Sequence, residues 1–588
     1  MAENIYRTHV CSQVDKSLVS QTVKISGWVR KKRNHGTILF IDLVDASGVV
    51  QCIIQKDEVL FQKVELTPYE SVVTIEGTVL LRDKGTINDK IASGDIEVHI
   101  QNFTILSRAQ ELPFAIHQED LSEELQLKYR FLYLRRAHAQ ETLKLRTKVI
   151  DLLRKHMKEL GFLEIQTPIL ASSSPEGARD FLVPSRLHKG KFFALPQAPQ
   201  QFKQILMASG VEKYFQIAPC FRDEDSRADR TSEFYQMDFE MAYATQEDIF
   251  YVLEHVFYNV FKTVRPECEI PQKFPRIPYR TAIAEYGSDK PDLRNPLKIT
   301  DLTNSFEIPN IFKELTEKGG KILALTAKID NPTRSFFDDL QKFVIHKGGK
   351  GLAYSHFDGQ KWTGPMSKMF SDEDKQKILE NGQKISNQNG HNTIFVIADK
   401  KNLAYKIAGS LRNELGNQLG LIDEERYEFC LITDFPMFEM TDEGTWDFMH
   451  NPFSMPQNLD VPTEEVLSYQ YDVVCNGYEL SSGAVRNYDL NIVEKVFKIV
   501  GDNCENLEER FPVYKAFKYG IPPHAGSAPG IDRIIMLLNK KINGRELNLR
   551  EVVAFPLTQN GENLLMSAPS VVLEEQLKEL GIKVEIKE

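Results

Sequence analysis

No run of 18 apolar residues occurs in the 588-residue chain, so no segment is expected to cross a bilayer as a helix. The N-terminal stretch MAENIYRTHV has no apolar core, which reads against a secretory leader. There is no C-x-x-C pair. The seven cysteines, Cys11, Cys52, Cys220, Cys268, Cys430, Cys475 and Cys504, are scattered. Neither a cysteine zinc site nor a disulfide framework is indicated, and a reducing, cytoplasmic setting is expected. Positive charge is not in surplus either: 72 Lys and Arg stand against 83 Asp and Glu, a net charge of −11. That excludes non-specific coating of nucleic acid, while one folded RNA docked on a local basic patch stays open. The Walker spacing is missing too. Gly348-Gly349-Lys350-Gly351 reads as a turn rather than a phosphate loop.

What is present is an ordinary globular composition, 42% hydrophobic and 26% charged, over a length that suggests about four domains. The most informative stretch is Cys220 to Glu240, CFRDEDSRADRTSEFYQMDFE. Charge of both signs crowds Arg222 to Glu233. Then Phe234, Gln236, Asp238 and Glu240 fall on one parity and Tyr235, Met237 and Phe239 on the other, the period of a strand. With Tyr214 to Ala218 before it, the segment reads as strand, charged turn, strand. A solvated loop has no need of interleaved acids and bases followed by polar groups on one strand face. A site for polyphosphate, metal and an amine-bearing base needs both signs, because guanidinium forks grip phosphate and carboxylates hold magnesium or accept from amines. FRDED followed by R-x-x-E-F-x-Q-x-D-x-E resembles motif 2 of the class II aminoacyl-tRNA synthetases.

Other stretches fit that resemblance. Ala137 to Leu160 repeats apolar residues at three and four (Leu145, Val149, Leu152, Leu153, His156, Leu160), stops at Gly161 and runs into Phe162 to Pro168. This helix, strand and proline are similar to class II motif 1, which implies a homodimer. Tyr519-Gly520-Ile521-Pro522-Pro523-His524-Ala525-Gly526 with Gly530-Ile531-Asp532-Arg533 resembles motif 3, with Ala528-Pro529-Gly530 where the family often has Gly-x-Gly, so that Pro529 bears on the geometry of the turn. The pattern breaks between about 285 and 420. Ile394 to Ala398 there reads as a buried strand, and Met366-Ser367-Lys368 resembles a class I lysine loop only by chance, since no HIGH tetrapeptide accompanies it. Phe429 to Phe435 and Met437 to Met440 read as paired strands, and Tyr471 to Leu480 as a hairpin turning at Asn476-Gly477. Helices are expected over Ser122 to Leu134, Gln246 to Val264 and Leu573 to Leu580.

Residues 1 to about 107 carry five short alternating strands: Val23 to Val29, Ile38 to Val44, Val49 to Ile54, Val72 to Leu81 and Ile96 to Ile105. An OB-fold barrel is the natural candidate. Arg30-Lys31-Lys32-Arg33 lies beside Phe40. Two local readings stand level: a cationic track with a stacking platform for single-stranded nucleic acid, or a core phenylalanine with a solvated edge. GWVRKKRNHGTILFIDLVDASGVVQCII resembles the anticodon-binding barrel of the aspartyl, asparaginyl and lysyl enzymes. That implies stacking on Phe40 and base-edge contacts from Gln51, Arg82 and Glu97.

The architecture expected is α+β and multidomain: an N-terminal OB-fold barrel (1–107), a hinge (108–136), a class II antiparallel-sheet catalytic domain in two parts (137–284 and 421–560), an inserted bacterial-type α/β domain (285–420) and a C-terminal extension (561–588). The resemblance implies that Arg222 and Arg533 are catalytic. Arg222, Asp223, Glu224, Thr231, Phe234, Glu479, Gly530, Ile531, Asp532 and Arg533 would bind ATP, the substrate, with Asp472 and Glu479 holding Mg²⁺. Glu176, in the loop ASSSPEGARD, would approach the amino acid together with Gln200, Lys203, Arg222, His450 and Arg486. Gln200 and Lys203 are three apart and share a helix face; a solvated helix start is the plain alternative. A side-chain carboxylate in a dry pocket must meet positive charge, and Lys203 and Arg486 are the two candidates. Lysyl enzymes would need acids there, and asparaginyl enzymes usually keep the arginine but not the lysine. The expected activity is therefore ligation of L-aspartate to tRNA(Asp). His35 and Gly85 are similar to the relaxed aspartyl type, which also charges tRNA(Asn); neutral loop variation is the alternative. An asparaginyl or lysyl synthetase, or a non-catalytic tRNA-binding relative, are the competing readings.

Overall fold

The computed structural model describes residues 4–56, 58–173, 178–224, 230–303, 310–358, 360–368, 371, 373–376, 378, 392–539 and 547–586. The chain divides into two units, Met1–Gln126 with Phe131–Gln140, and Leu127–Arg130 with Glu141–Glu588.

In the first unit the strands Thr22–Asn34, Ile38–Val44, Val49–Gln55, Ile96–Ser107 and Val72–Leu81 neighbour one another in that order and close into a barrel. Period-2 alternation places Leu39, Ile41 and Leu43 inside and turns Phe40 and Asp42 outward. Each such burial contributes about 1.5–3 kcal/mol. Asp45 closes the turn after the second strand, its carboxylate accepting from the Ser47 and Gly48 amides. Gly77 sits at a register shift, where a Cβ would lie 2.2 Å from the His99 carbonyl oxygen, so only glycine lets these strands meet.

The second unit is built on an eight-stranded sheet. Its order is Arg276–Pro278, Phe429–Thr433, Gln470–Cys475, Tyr478–Val485, His524–Ser527, Glu233–Ala242, Lys213–Phe221 and Leu163–Glu164. Only the two edge strands pair parallel; the interior is antiparallel. One face packs on helices Ala137–Glu159, Gln246–Val264 and Ile531–Leu538 through Val149, Leu153, Phe257, Phe261, Ile534 and Ile535. Met237 and Phe239 join that core, so the opposite parity of the same strand is left for the other face. The turn at Asn476-Gly477 has φ of 51° and 86°, the left-handed pair a tight hairpin requires. One expectation fails. Phe429–Thr433 pairs with Gln470–Cys475, while Phe438–Met440 pairs with Trp446–Phe448. Proximity in sequence suggested a pair, but the apolar first strand is buried by the central sheet and the more exposed second one forms its own hairpin.

A separate five-stranded sheet has the order Ile299–Asp301, Gly320–Lys328, Asn392–Lys400, Ala353–Phe357 and Trp362–Thr363. Leu323, Leu325, Phe395 and Ile397 pack against Leu340, Val344, Ile407 and Leu411, while Ile322, Ile394 and Val396 pack with Met366 and Ile378 on the other side. Cover on both faces explains the unbroken apolar run at Ile394 to Ile397. Met366 is a core residue of this sheet.

Candidate active site

A cavity of about 350 Å³ opens on the polar face of the eight-stranded sheet. Its floor is a buried quartet of charges. Helix Gln200–Ala208 buries Gln200, Lys203, Gln204 and Met207 on one stripe, so Lys203 is driven inward rather than solvated. Its ammonium lies 2.7 Å from Asp238 Oδ1 and 3.4 Å from Glu240 Oε2. Arg486 donates from Nε to Glu240 Oε1 at 2.8 Å and from Nη2 to Oε2 at 3.1 Å. This bidentate fork engages Nε and Nη2, and Arg486 also lines the cavity. Burial pushes the Asp238 carboxyl up, against the pull of Lys203 and with help from Glu240. Burial also pushes Glu240 up, but Arg486 and then Lys203 outweigh it, and the net shift is downward. Two cations facing two anions make a neutral floor. Asp238 Oδ2 and Gln200 Nε2 are buried without a partner, a cost that a polar ligand removes. Behind the quartet, His524 holds its Nδ1 against the Pro522 carbonyl at 2.9 Å and its Nε2 at 3.0 Å from Gln204 Nε2. The carbonyl requires the proton on Nδ1, so Nε2 accepts from the amide. Burial holds this imidazole below the usual histidine range.

The middle of the cavity carries an aromatic–guanidinium pair. Arg222 sits 5.0 Å over the Phe234 ring, and its Nε is buried without a partner. Both follow from the hairpin, because Phe234 pairs in register with Cys220 and Arg222 continues that strand, its amide bonded to the Ser232 carbonyl. Glu224 lines the same wall and accepts from Arg230 at 3.2 Å.

At the far end Arg533 Nη1 donates to the Glu479 carbonyl at 2.7 Å and lies 3.7 Å from its carboxylate. Lys290 approaches the other carboxylate oxygen at 2.8 Å. Burial raises Glu479, yet Lys290 and Arg533 together leave it below the usual carboxylate range. Asp472, on the neighbouring strand, is pushed well above its ordinary value by burial and then by Glu479. Its Oδ1 has no partner. Two adjacent carboxylates, one with an orphaned buried oxygen, suit a hard divalent cation. The Ala528-Pro529-Gly530 bend also resolves. Ala528 and Gly530 donate their amides to Ser482 and Leu480, and the Pro529 carbonyl accepts from Met237. The ladder uses the donors on either side, so a residue without N–H fits between them.

Several expected residues stand elsewhere or do other work. Glu176 lies outside the described residues. Asp223 is bridged through its backbone to Arg179 and does not line the cavity. The Ile531 side chain is fully buried in the core behind the sheet. Asp532 and Thr231 both line the cavity, but the Asp532 carboxylate is engaged by Arg146 and by the Tyr235 amide, and the Thr231 hydroxyl donates to the Glu233 carbonyl at 2.9 Å. His450 lines the cavity, its ring edge-on to Phe435 at 4.9 Å. Lys290, Gln204 and the His524 tautomer were not anticipated, because each acts across a long sequence separation. Asp238 and Glu240 were visible as strand parity but were not assigned to the site.

On the barrel, Phe40 is half-buried on the outer face with His35 edge-on at 5.5 Å. Beside it Arg33 grips Asp42 with two bonds of 2.7 and 3.1 Å and donates to Gln51, which donates to Glu97 at 2.8 Å. Arg82 is buried, its Nε on the Ile96 carbonyl. The basic cluster is not one cationic track. Arg30 is committed to Glu70, and Lys32 to the Glu65 and Thr67 carbonyls. Successive strand residues point to different neighbours, leaving Lys31 and Arg33 exposed. His35 and Gly85 are also exposed. A Cβ at Gly85 would meet nothing within 4 Å.

Comparisons with known proteins agree with this geometry. Residues 122–559 match the family model "tRNA synthetases class II (D, K and N)", and residues 23–106 match "OB-fold nucleic acid binding domain". Among relatives, the chain is 49% identical to the aspartate–tRNA(Asp/Asn) ligase of Pelagibacter ubique, over 99% of this chain and 100% of that one. It is 48% identical to the Rickettsia prowazekii protein of the same name, over 98% and 97%. In structure it is similar to asparaginyl-tRNA synthetase from Pyrococcus horikoshii, at a TM-score of 0.57 and 19% identity, covering 95% of this chain and 98% of that chain. On the barrel, the antiparallel sheet with its charged cavity, and a family match spanning most of its length, the chain belongs to the class II tRNA synthetases of the D, K and N group.

Proposed function

We propose that the chain is an aspartate–tRNA(Asp/Asn) ligase, which activates L-aspartate with ATP and transfers it to the 3′ end of tRNA(Asp) and of tRNA(Asn). The observation that carries the reading is the floor, where Lys203 and Arg486 sit side by side against Glu240. A four-carbon diacid brings its second carboxylate to the donors of Lys203 and Arg486 that Asp238 and Glu240 do not occupy. The relatives' names support both tRNAs.

The reaction joins two anions, so positioning and charge neutralisation carry it. A bond forms between the substrate's α-carboxylate oxygen and the α-phosphorus, and the α–β bridging bond breaks to release diphosphate. Arg222 neutralises the attacking carboxylate and the α-phosphate, with its unpartnered Nε turned to that use. Phe234 stacks the adenine, Glu224 accepts from its amine, and Arg533 binds the γ-phosphate. Asp472 and Glu479 would hold Mg²⁺, which supplies positive charge at the phosphates when bound. The tRNA terminal hydroxyl then attacks the acyl carbon and AMP departs.

Phe40, Gln51, Arg82 and Glu97 read the anticodon, and exposed His35 and Gly85 admit both tRNAs. Exposed Leu163, Ile169 and Leu170 beside the edge strand support a homodimer formed there. The sheet spanning 299–400 forms an inserted domain over about 285–420, and the enzyme works in the cytoplasm. Aspartate-dependent ATP–diphosphate exchange tests the activation, and charging of purified tRNA(Asn) tests the breadth. Exchange supported by asparagine or lysine but not aspartate would reject the reading.

A further inference from the structure

Behind the catalytic sheet, the last turn of helix Ala137–Glu159 meets helix Gln246–Val264 through three side chains that the aminoacylation chemistry leaves unused. His156 and Glu159 are three residues apart on one helix face, and His255 comes from the other helix. One ring nitrogen from each histidine and one carboxylate oxygen of Glu159 lie within 4.8 Å of one another, the only such donor group among the described residues. The sequence pattern assigned His156 to the apolar stripe of its helix, and the structure shows why it is more than filler. The residue is 8% exposed, its Nδ1 lies 2.9 Å from Glu159 Oε2, and its Nε2 is buried with no partner. The two imidazoles sit edge to face at 5.7 Å, and Tyr251 stacks on the outer face of His255.

The His156–Glu159 pair already brings Nδ1 and a carboxylate oxygen together, as two ligands of one cation would be. Tetrahedral ligands about 2 Å from an ion sit roughly 3.3 Å from one another. The His156 Nδ1–Glu159 Oε2 separation of 2.9 Å is already near that value, and all three donor atoms lie within 4.8 Å of one another. Two imidazoles and one carboxylate are the donor set of zinc and its neighbours rather than of magnesium or calcium, which favour oxygen alone. Glu159 is half exposed, 51%, so an ion can enter from solvent and keep a water as fourth ligand.

We propose that His156, Glu159 and His255 form a zinc-class transition-metal site that pins the end of the first helix to the helix following the charged hairpin. The site is distinct from the Asp472–Glu479 pair, which offers only oxygen. It needs no cysteine, which is why cysteine spacing gave no sign of it.

The test uses the full chain, stripped with chelator and titrated with zinc chloride against a chromophoric competitor. One ion per chain is expected to bind, raising the unfolding midpoint by several degrees through mass action. X-ray absorption of the zinc-loaded protein should show imidazole scattering, which ions on the catalytic carboxylates would not produce. His255→Gln and Glu159→Gln, at partly exposed positions, are expected to weaken this binding at least about tenfold each and to cancel the midpoint rise. His156→Gln adds the buried ligand, and its fold is checked by circular dichroism. Wild-type protein that binds no zinc, that shows no imidazole scattering, or whose affinity is unchanged in both His255→Gln and Glu159→Gln would overturn the proposal.

Discussion

The cavity floor and the outer face of the barrel both carry paired charges, and they are built in opposite ways. On the floor, Lys203 and Arg486 are 2% and 4% exposed and are held by carboxylates with no exposure at all. On the barrel, Arg33 is 41% exposed and its partner Asp42 18%. A buried pair is costly to break, because the survivor stays charged in a dry place; an exposed pair is replaced by water for little. In the proposed reading the floor therefore couples recognition to stability, and the barrel separates them, so that its specificity can change without endangering the fold.

The largest effect follows from removing one floor partner. Arg486→Leu is expected to lower aspartate-dependent exchange by roughly 10²–10³-fold or more, the scale of truncating a buried charge pair, while ATP binding measured by calorimetry survives. It also removes the closer of the two cations on buried Glu240 and leaves only Lys203 at 3.4 Å, with a stability loss of roughly 3–5 kcal/mol visible in denaturant unfolding. Adding Glu240→Gln should restore part of that stability and none of the activity. Equal loss of ATP and aspartate binding would erase the contrast between floor and barrel.

Next in size, Phe40→Ala on the barrel should cost about 1–3 kcal/mol in tRNA use, read as kcat/KM for aminoacylation. Exchange without tRNA should be unchanged and stability should move by less than about 1 kcal/mol. A stability loss as large as that of Arg486→Leu would show that Phe40 belongs to the core. A smaller change is expected for His35→Leu with Gly85→Lys. The ratio of tRNA(Asp) to tRNA(Asn) charging should rise about tenfold, on the scale of one good polar contact, with the unfolding midpoint unaltered because a Cβ at Gly85 meets nothing.

The smallest effect is a pH dependence confined to the floor. His524 is held below its ordinary value of 6.5 by burial, so the unfolded chain takes up this proton first. The stability it contributes is whole above about pH 6.5 and is lost as pH falls through that value toward the lower folded one. Wild-type protein should lose more midpoint between pH 7.5 and 5.5 than His524→Gln, whose amide keeps a neutral contact with Gln204. Identical losses would remove His524 from the account.

Much of this molecule was legible locally. The barrel strands, the charged hairpin and the helix Gln246–Val264 follow from period-2 and period-3.6 patterns that local sterics enforce. The parity of Phe234 to Glu240 already separated a cavity face from a core face. The pairing of Phe438–Met440 was misjudged because strand neighbours are chosen by burial across the whole sheet, not by nearness in sequence. Phe40 stood level between two readings until the closed barrel showed which face of its strand points out.

Alternation, turn residues and interleaved charge were enough, read along the chain, to decide that it would form a barrel and an antiparallel sheet with a charged hairpin whose one parity faces away from the core. The balance of charges around Lys203 and Arg486, the proton position on His524 and the meeting of His156 with His255 were decided only in three dimensions. The reason is physical: each depends on desolvation by, and distance to, residues from other elements, and burial and Coulomb energies have no value until the chain has folded around them.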